Sequence, residues 1–141
     1  MTSPPTTPRR IVVAAPVLFV VALAWNAFLH LVVLRGVNAS AQHLRRTDFA
    51  DKAWLSLLMT LGLVTMFVWG YARVARTGTM REGFRYGLYF ALLAGLLVDL
   101  NQYVLFPIPG AVAALWFLGG LVEFSLYGVL VSRICGRRGG A

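Results

Sequence analysis

Two acidic side chains lie inside stretches that are otherwise apolar, and these are the residues of the chain best suited to chemistry. Asp99 and Glu123 interrupt long apolar runs, whereas Asp48, Asp51 and Glu82 lie in polar segments. A charge at the centre of a lipid bilayer costs about 3 kcal/mol on insertion scales, so such side chains face protein or water. A carboxyl group in that position can hold a proton or a cation. The two acids are therefore candidate functional residues.

Further polar side chains accompany the two acids at helical spacing. Asn26 and His30 are four residues apart, so a helix presents them on one face. At a rise of about 1.5 Å per residue, Asn26, Asp99 and Glu123 fall at overlapping depths in a membrane. The predicted intramembrane polar cluster consists of Asn26, His30, Asp99, Gln102, Glu123 and Tyr127. Small residues allow helices to approach closely, and Gly95, Gly119 and Gly120 are the predicted packing positions.

The elements that position these residues follow from the apolar composition. Of the 141 residues, 59% are hydrophobic and 13% are charged, against about 25% charged residues in soluble domains. Such an apolar load excludes a disordered chain, and the single cysteine, Cys135, excludes a secreted disulfide scaffold. A transmembrane helix needs about 20 apolar residues. Four stretches meet this requirement, at about 11–34, 53–72, 86–106 and 111–134.

The predicted fold is an all-α bundle of four transmembrane helices. It forms a single domain over 11–135, with a disordered tail at 1–10 and a basic tail at 136–141. The loop 36–52 has room for a short surface helix, and 73–85 is a basic loop that contains Glu82. Pro107 and Pro109 end the third span in a tight turn. Aromatic side chains are enriched at membrane interfaces, and five are predicted there: Trp54, Trp69, Tyr71, Tyr86 and Tyr103.

The basic residues predict the orientation of the bundle. The net charge is +8, and all thirteen basic side chains lie outside the apolar stretches or at their ends. This partition favours a membrane protein and gives no reason to expect a nucleic-acid partner. If both termini are cytoplasmic, nine basic residues lie inside and four outside. The positive-inside rule then predicts N-in, C-in topology in a bacterial inner membrane.

The first apolar stretch has an alternative interpretation as an export signal. Arg9 and Arg10 precede an apolar run with small residues at Ala22 and Ala24, as in a cleavable signal peptide. The run continues beyond that point to Leu34, which is long enough for a complete span. We therefore expect an uncleaved first helix.

The third and fourth apolar stretches carry an order of residues that resembles small four-span bacterial membrane families of unknown function. The segment begins with Asp99-Leu-Asn-Gln-Tyr and continues with Pro107-Ile-Pro, Trp116, Gly119-Gly120, Glu123 and Gly128. The sequence His30-Leu-Val-Val-Leu in the first span is also similar to theirs. The resemblance implies a stand-alone domain of the inner membrane, and it carries no catalytic residue over to this chain.

Three functions are compatible with this pattern. The leading hypothesis is a non-catalytic structural or accessory subunit, in which the polar residues only form hydrogen bonds between helices. The second is a small proton- or cation-coupled transporter or channel that uses Asp99 and Glu123, and the third is a lipid-modifying enzyme. No catalytic residue, metal site or cofactor is predicted. The expected partners are the lipid bilayer and either another copy of the chain or a different membrane protein.

Overall fold

The chain folds as a bundle of four long helices. A computed structural model describes residues 8–40 and 47–136, and within those ranges there is no strand. Four helices are long and apolar enough to cross a membrane: Arg9–Val33, Phe49–Val74, Met80–Leu105 and Gly110–Cys135. The predicted all-α bundle of four transmembrane helices is thereby confirmed.

Two of the four spans contain a π-helical turn, in which the backbone hydrogen bond reaches one residue further than in an α-helix. The first span is α1 (Pro8–Phe28), which continues as a π turn at Leu29–Val33, and the short α2 (Arg35–Ser40) follows. The second span is α3 (Phe49–Val74). The third span is α4 (Met80–Ala94), a π turn at Gly95–Asp99 and then α5 (Leu100–Leu105). The fourth span is α6 (Gly110–Cys135).

The helices extend beyond several of the predicted boundaries. The predicted disordered tail at 1–10 is wrong for its last three residues, because α1 begins at Pro8. Proline is favoured at the start of a helix, because a backbone N–H group in the first turn has no hydrogen-bond acceptor within the helix. Residues 1–7 of that tail and 137–141 of the basic tail lie outside the described residues.

The connection between α3 and α4 is shorter than the predicted loop at 73–85. The side chain of Thr79 caps α4 by accepting a hydrogen bond from the backbone N–H of Glu82 at 3.3 Å. The Glu82 carboxylate then accepts the N–H groups of Arg76, Thr77 and Gly78, at 2.6, 2.9 and 2.6 Å. The assignment of Glu82 to a solvated loop was therefore wrong. Thr-x-x-Glu is the sequence signature of a helix cap.

The closest contact in the bundle joins α4 to α6, which run antiparallel. A Cβ atom at Gly83 would overlap the carbonyl oxygen of Gly128, and one at Gly128 would overlap the carbonyl oxygen of Gly83. A Cβ atom at Gly87 would overlap the carbonyl oxygen of Phe124. Gly83 and Gly87 are four residues apart, the spacing by which glycines bring membrane helices together. These three glycines therefore set the distance between the two backbones.

The three predicted packing glycines have different surroundings. A Cβ atom at Gly95 would overlap the ring of Phe117, and one at Gly119 would lie 3.0 Å from the Leu29 side chain. Both positions therefore serve close packing. Gly120 is different, because a Cβ atom there would have one neighbour within 4 Å, a carboxylate oxygen of Asp99 at 3.6 Å. Gly120 leaves space for a polar side chain instead of bringing two backbones together.

An aromatic cluster attaches α3 to the α4–α6 pair. Phe67 is fully buried, and its ring lies 4.8 Å from Tyr86 and 5.1 Å from Phe90 on α4. It also lies 5.9 Å from the ring of Tyr127 on α6. Edge-to-face geometry predominates, as the charge distribution of aromatic rings favours.

Tyr71 and Tyr86, two of the aromatic side chains predicted near the membrane interfaces, pack within the bundle. The side chain of Tyr71 is 1% exposed. Tyr86 is half-buried, and its hydroxyl donates to the carbonyl oxygen of Phe67 at 3.0 Å. Both rings also contact each other edge to face, at 5.5 Å between their centroids.

The first span packs with a regular stripe and is joined to the last span at its end. Ala14, Leu18 and Ala22 recur every fourth residue and are buried. At the start of α1, the Arg10 guanidinium donates to the carbonyl oxygen of Gly136, just after α6, at 2.7 Å. The N-terminal end of α1 and the C-terminal end of α6 therefore lie at the same end of the bundle.

We predict that replacing Gly128 with alanine destabilises the bundle, whereas the same change at Gly62 does not. The new Cβ atom would overlap a backbone carbonyl at Gly128, but it meets nothing within 4 Å at Gly62. Overpacking costs about 1–3 kcal/mol, while alanine in an open helical position is favourable by about 1 kcal/mol. Unfolding of both purified variants in mixed micelles measures the difference. Equal stability of the two variants would contradict the backbone contact.

Candidate functional site

Polar residues from three spans surround one cavity in the half of the bundle away from the Arg10–Gly136 contact. The cavity has a volume of about 520 Å³. It is bounded by α1 and its π turn, by α3, by the third span and by α6. Its lining consists of Asn26, Leu29, His30, Leu63, Ala94, Val98, Asp99, Gln102, Trp116, Gly120, Glu123 and Phe124.

Glu123 is the best-anchored acidic group of the cavity. The side-chain amide of Asn26 donates to Glu123 Oε1 at 3.1 Å, and the Tyr127 hydroxyl donates to the same oxygen. The Asn26 amide also donates to the carbonyl oxygen of Ala22 at 2.9 Å, which fixes its orientation on α1. Both donors are neutral, so they hold the carboxyl group in place without supplying a positive charge.

Asp99 lies beside Glu123 and is held differently. One of its carboxylate oxygens lies over Gly120, which precedes Glu123 by three residues on α6. Within the described part of the chain, no hydrogen bond reaches the Asp99 carboxylate, and no lysine or arginine lines the cavity. Two acidic groups therefore share a space in which His30 is the remaining ionisable side chain.

The two π turns place polar residues at the cavity. His30 lies within the first turn, Leu29–Val33, and Asp99 is the last residue of the second, Gly95–Asp99. A π turn adds one residue to a helical turn and so rotates the side chains that follow it, and such turns are frequent at functional sites. The regular helices α3 and α6 have no such turn. The distortion therefore occurs in the two spans whose polar residues face α6.

The structure brings the predicted polar residues together. Five of the six line the cavity, and the sixth, Tyr127, lies buried behind Glu123 and is hydrogen-bonded to it. The Asn26–Glu123 contact agrees with the overlapping depths inferred from helical rise.

The sequence analysis did not identify Trp116 as part of the site. Trp116, Gly120, Glu123 and Tyr127 follow one another at intervals of four, three and four residues, which places them on one face of α6. That spacing would have been sufficient to find it. The indole N–H of Trp116 is buried and has no acceptor among the described residues. It leaves an unused donor in the wall of the cavity.

The chemistry available in this site is the binding of positive charge. Carboxylate and amide oxygens accept hydrogen bonds and ligate cations, and two adjacent carboxylates repel each other unless a proton or cation lies between them. In the described ranges, no group of three histidine, cysteine or acidic side chains has the arrangement of a metal site. The cavity-lining residues include no serine, threonine or cysteine that would act as a nucleophile.

Comparisons with protein-family models, with curated proteins and with solved structures give no match for this chain. The function therefore has to be argued from the geometry of the site.

We predict that Tyr127→Phe lowers the free energy of unfolding by about 1 kcal/mol, the usual net value of one hydrogen bond. Phenylalanine fills the same space but cannot donate to Glu123. Tyr89→Phe is the matched control, because that side chain is 68% exposed on the surface of α4. Unfolding of the purified variants in mixed micelles gives both values. A loss at Tyr89 as large as that at Tyr127 would contradict a specific role for the hydroxyl at Glu123.

Proposed function

We propose that this protein is a small proton- or cation-coupled transporter or channel of a bacterial inner membrane, with Glu123 as its principal binding group. The observation that carries the proposal is the pair of carboxyl groups, Glu123 and Asp99, in one intramembrane cavity whose described lining includes no lysine or arginine. A purely structural pair of polar residues needs no cavity beside it. Here the cavity gives a ligand access to the acids.

The hydrogen bonds at Glu123 support this assignment. Asn26 and Tyr127 both donate to Oε1, so the other carboxylate oxygen, Oε2, receives neither of these two bonds. A carboxyl group that is oriented by neutral donors can exchange a proton or a cation without breaking an ion pair. Asp99, across from Gly120, supplies a second acceptor for the same ligand.

A structural or accessory role is the second candidate, and one observation favours it. Every residue from 49 to 59, in the first half of α3, is exposed. In the membrane, that segment is available to lipid, to another copy of the chain or to a different membrane protein. No hydroxyl or thiol group from the described residues lines the cavity, so we do not propose the lipid-modifying activity.

We predict that purified protein in liposomes carries a proton or alkali-cation flux and that Glu123→Gln reduces it by about tenfold or more, since a lost interaction with a charge is worth about 1.5–3 kcal/mol. Glutamine keeps an oxygen that accepts from Asn26 and Tyr127, so the fold is expected to persist. A pH-sensitive dye and a potassium electrode report the two fluxes.

Asp51→Asn is the control for this experiment, because Asp51 is an exposed acid near the start of α3. It is expected to leave the flux unchanged. The absence of flux in the unmodified protein would contradict transport by this chain alone and would favour the accessory role. A flux that is unaffected by Glu123→Gln would overturn the assignment of Glu123.

We also propose that both helical ends joined by Arg10 and Gly136 face the cytoplasm. Seven basic residues of the described chain lie at that end and two at the other. They are Arg9, Arg10, Arg73, Arg76, Arg81, Arg85 and Arg133 on one side and Arg35 and Lys52 on the other. The positive-inside rule favours this orientation.

We predict that an impermeant maleimide applied to intact cells labels Thr47→Cys but not Thr77→Cys. Both positions are exposed and lie in connections at opposite ends of the bundle. Cys135 is buried and is replaced by serine, so that each variant carries one thiol. Permeabilised cells serve as the control, in which both variants are labelled. Labelling of Thr77→Cys alone in intact cells would reverse the orientation.

A further inference from the structure

The cavity combines an acidic region with an apolar one. Besides the polar groups, its lining includes Leu29, Leu63, Ala94, Val98, Trp116 and Phe124. Small inorganic cations take oxygen ligands on several sides and retain water molecules in the remaining positions. The apolar half of this lining provides no oxygen ligand for such a cation. It does offer a surface on which hydrocarbon groups can be buried.

We propose that the ligand of this cavity is an amphipathic organic monocation, that is, a substituted ammonium or phosphonium ion with bulky apolar groups. This inference rests on the proposed function and specifies its substrate class. The positive centre would lie between Asp99 and Glu123, and the apolar groups would contact Leu63, Val98 and Phe124. The volume of about 520 Å³ suits such a ligand, because sites for drug-sized molecules enclose about 300–1,000 Å³.

Trp116 provides a second source of affinity for a cation. It lies two helical turns before Glu123 on the same face of α6 and lines the cavity. Tryptophan is the strongest aromatic partner for a positive charge, and the attraction increases when the site is shielded from water. An uncharged molecule of the same shape gains neither this interaction nor the one with the carboxylates. Charge and apolar bulk are therefore both required.

The opening of the cavity is consistent with an apolar ligand. Leu63 on α3 and Val98 on the third span both line the cavity, and their side chains are 39% and 54% exposed. Since both residues line the cavity and are exposed, we infer that it opens between these two helices. In a bilayer this opening faces the hydrocarbon region, where an amphipathic cation concentrates and a hydrated inorganic ion does not. The geometry points to entry from the membrane.

The test uses tetraphenylphosphonium as the probe and full-length protein in detergent micelles. Equilibrium dialysis with the radiolabelled probe is expected to show saturable binding. Glu123→Gln and Asp99→Asn are each expected to weaken it by about tenfold, the effect of losing one interaction with a charge. Asp51→Asn is expected to bind as the unmodified protein does. Triphenylphosphine oxide, which is uncharged, is expected not to compete, and neither is tetramethylammonium, which lacks bulky apolar groups.

A further variant tests the proposed entry route. Leu63→Trp narrows the opening of the cavity from a position that makes no hydrogen bond to the acids. It is expected to weaken probe binding. Leu57→Trp is its control, since Leu57 lies on the exposed first half of α3 and does not line the cavity. Equal effects of the two tryptophan variants would overturn the assignment of the entry route.

The outcomes separate this inference from the proposed function. A flux that depends on Glu123, without any binding of tetraphenylphosphonium, would overturn the organic-cation inference and leave cation coupling intact. Binding that is unchanged in Glu123→Gln and Asp99→Asn, or that is displaced by the neutral analogue, would overturn it as well. The absence of both binding and flux would overturn the inference together with the proposed function.

Discussion

The α4–α6 contact is the constraint on which the rest of the bundle depends. Because Gly83, Gly87 and Gly128 have no side chains, the two backbones touch directly in the half of the bundle that contains the Arg10–Gly136 contact. In lipid, no hydrophobic force drives helices together, because the lipid tails are as apolar as the helices. Close van der Waals packing is therefore a principal source of helix association. The α4–α6 pair then presents the aromatic surface on which Phe67 seats α3. The first span completes the bundle by packing against α3 and α6.

The same pair has a different character at its opposite end. Toward the turn between α5 and α6, the third span changes to a π turn, and Gly120 faces a carboxylate in place of a backbone. The two helices pack closely at one end and leave space for the cavity at the other. Few of the described side chains are buried. Four helices of this length enclose little interior, so the location of that space is informative. It coincides with the intramembrane acids.

Much of the fold could be predicted because membrane insertion depends on apolar length, and that is visible in the sequence. The depths of Asn26 and Glu123 in the membrane were predictable for a similar reason, since the rise per residue of a helix is nearly constant. The Gly83–Gly87 spacing was also visible, but Arg81 and Arg85 alternate with these glycines and suggested a loop. In the structure the arginines occupy the exposed face of α4 and the glycines its buried face. The π turns could not be predicted, because an additional residue in a helical turn has no characteristic composition.

The site was predictable in its polar members and not in its shape. Asp99 and Glu123 stand out because charges are rare within apolar runs. The contributions of Leu63 and Val98 depend on how the helices are arranged laterally, and a single sequence carries no record of that arrangement. The proposed sideways opening of the cavity depends on the same lateral arrangement.

The hydrogen bond between Asn26 and Glu123 also has a consequence for the biosynthesis of the protein. It joins residues 97 positions apart, one in the first of the four spans and the other in the fourth. Until α6 leaves the ribosome and enters the bilayer, the amide of Asn26 has only the Ala22 carbonyl of its own helix as an acceptor. The Arg10–Gly136 contact likewise forms only after the fourth span has been made. The first helix can therefore contact α3 before α6 is made, but its two hydrogen bonds to the fourth span form only afterwards.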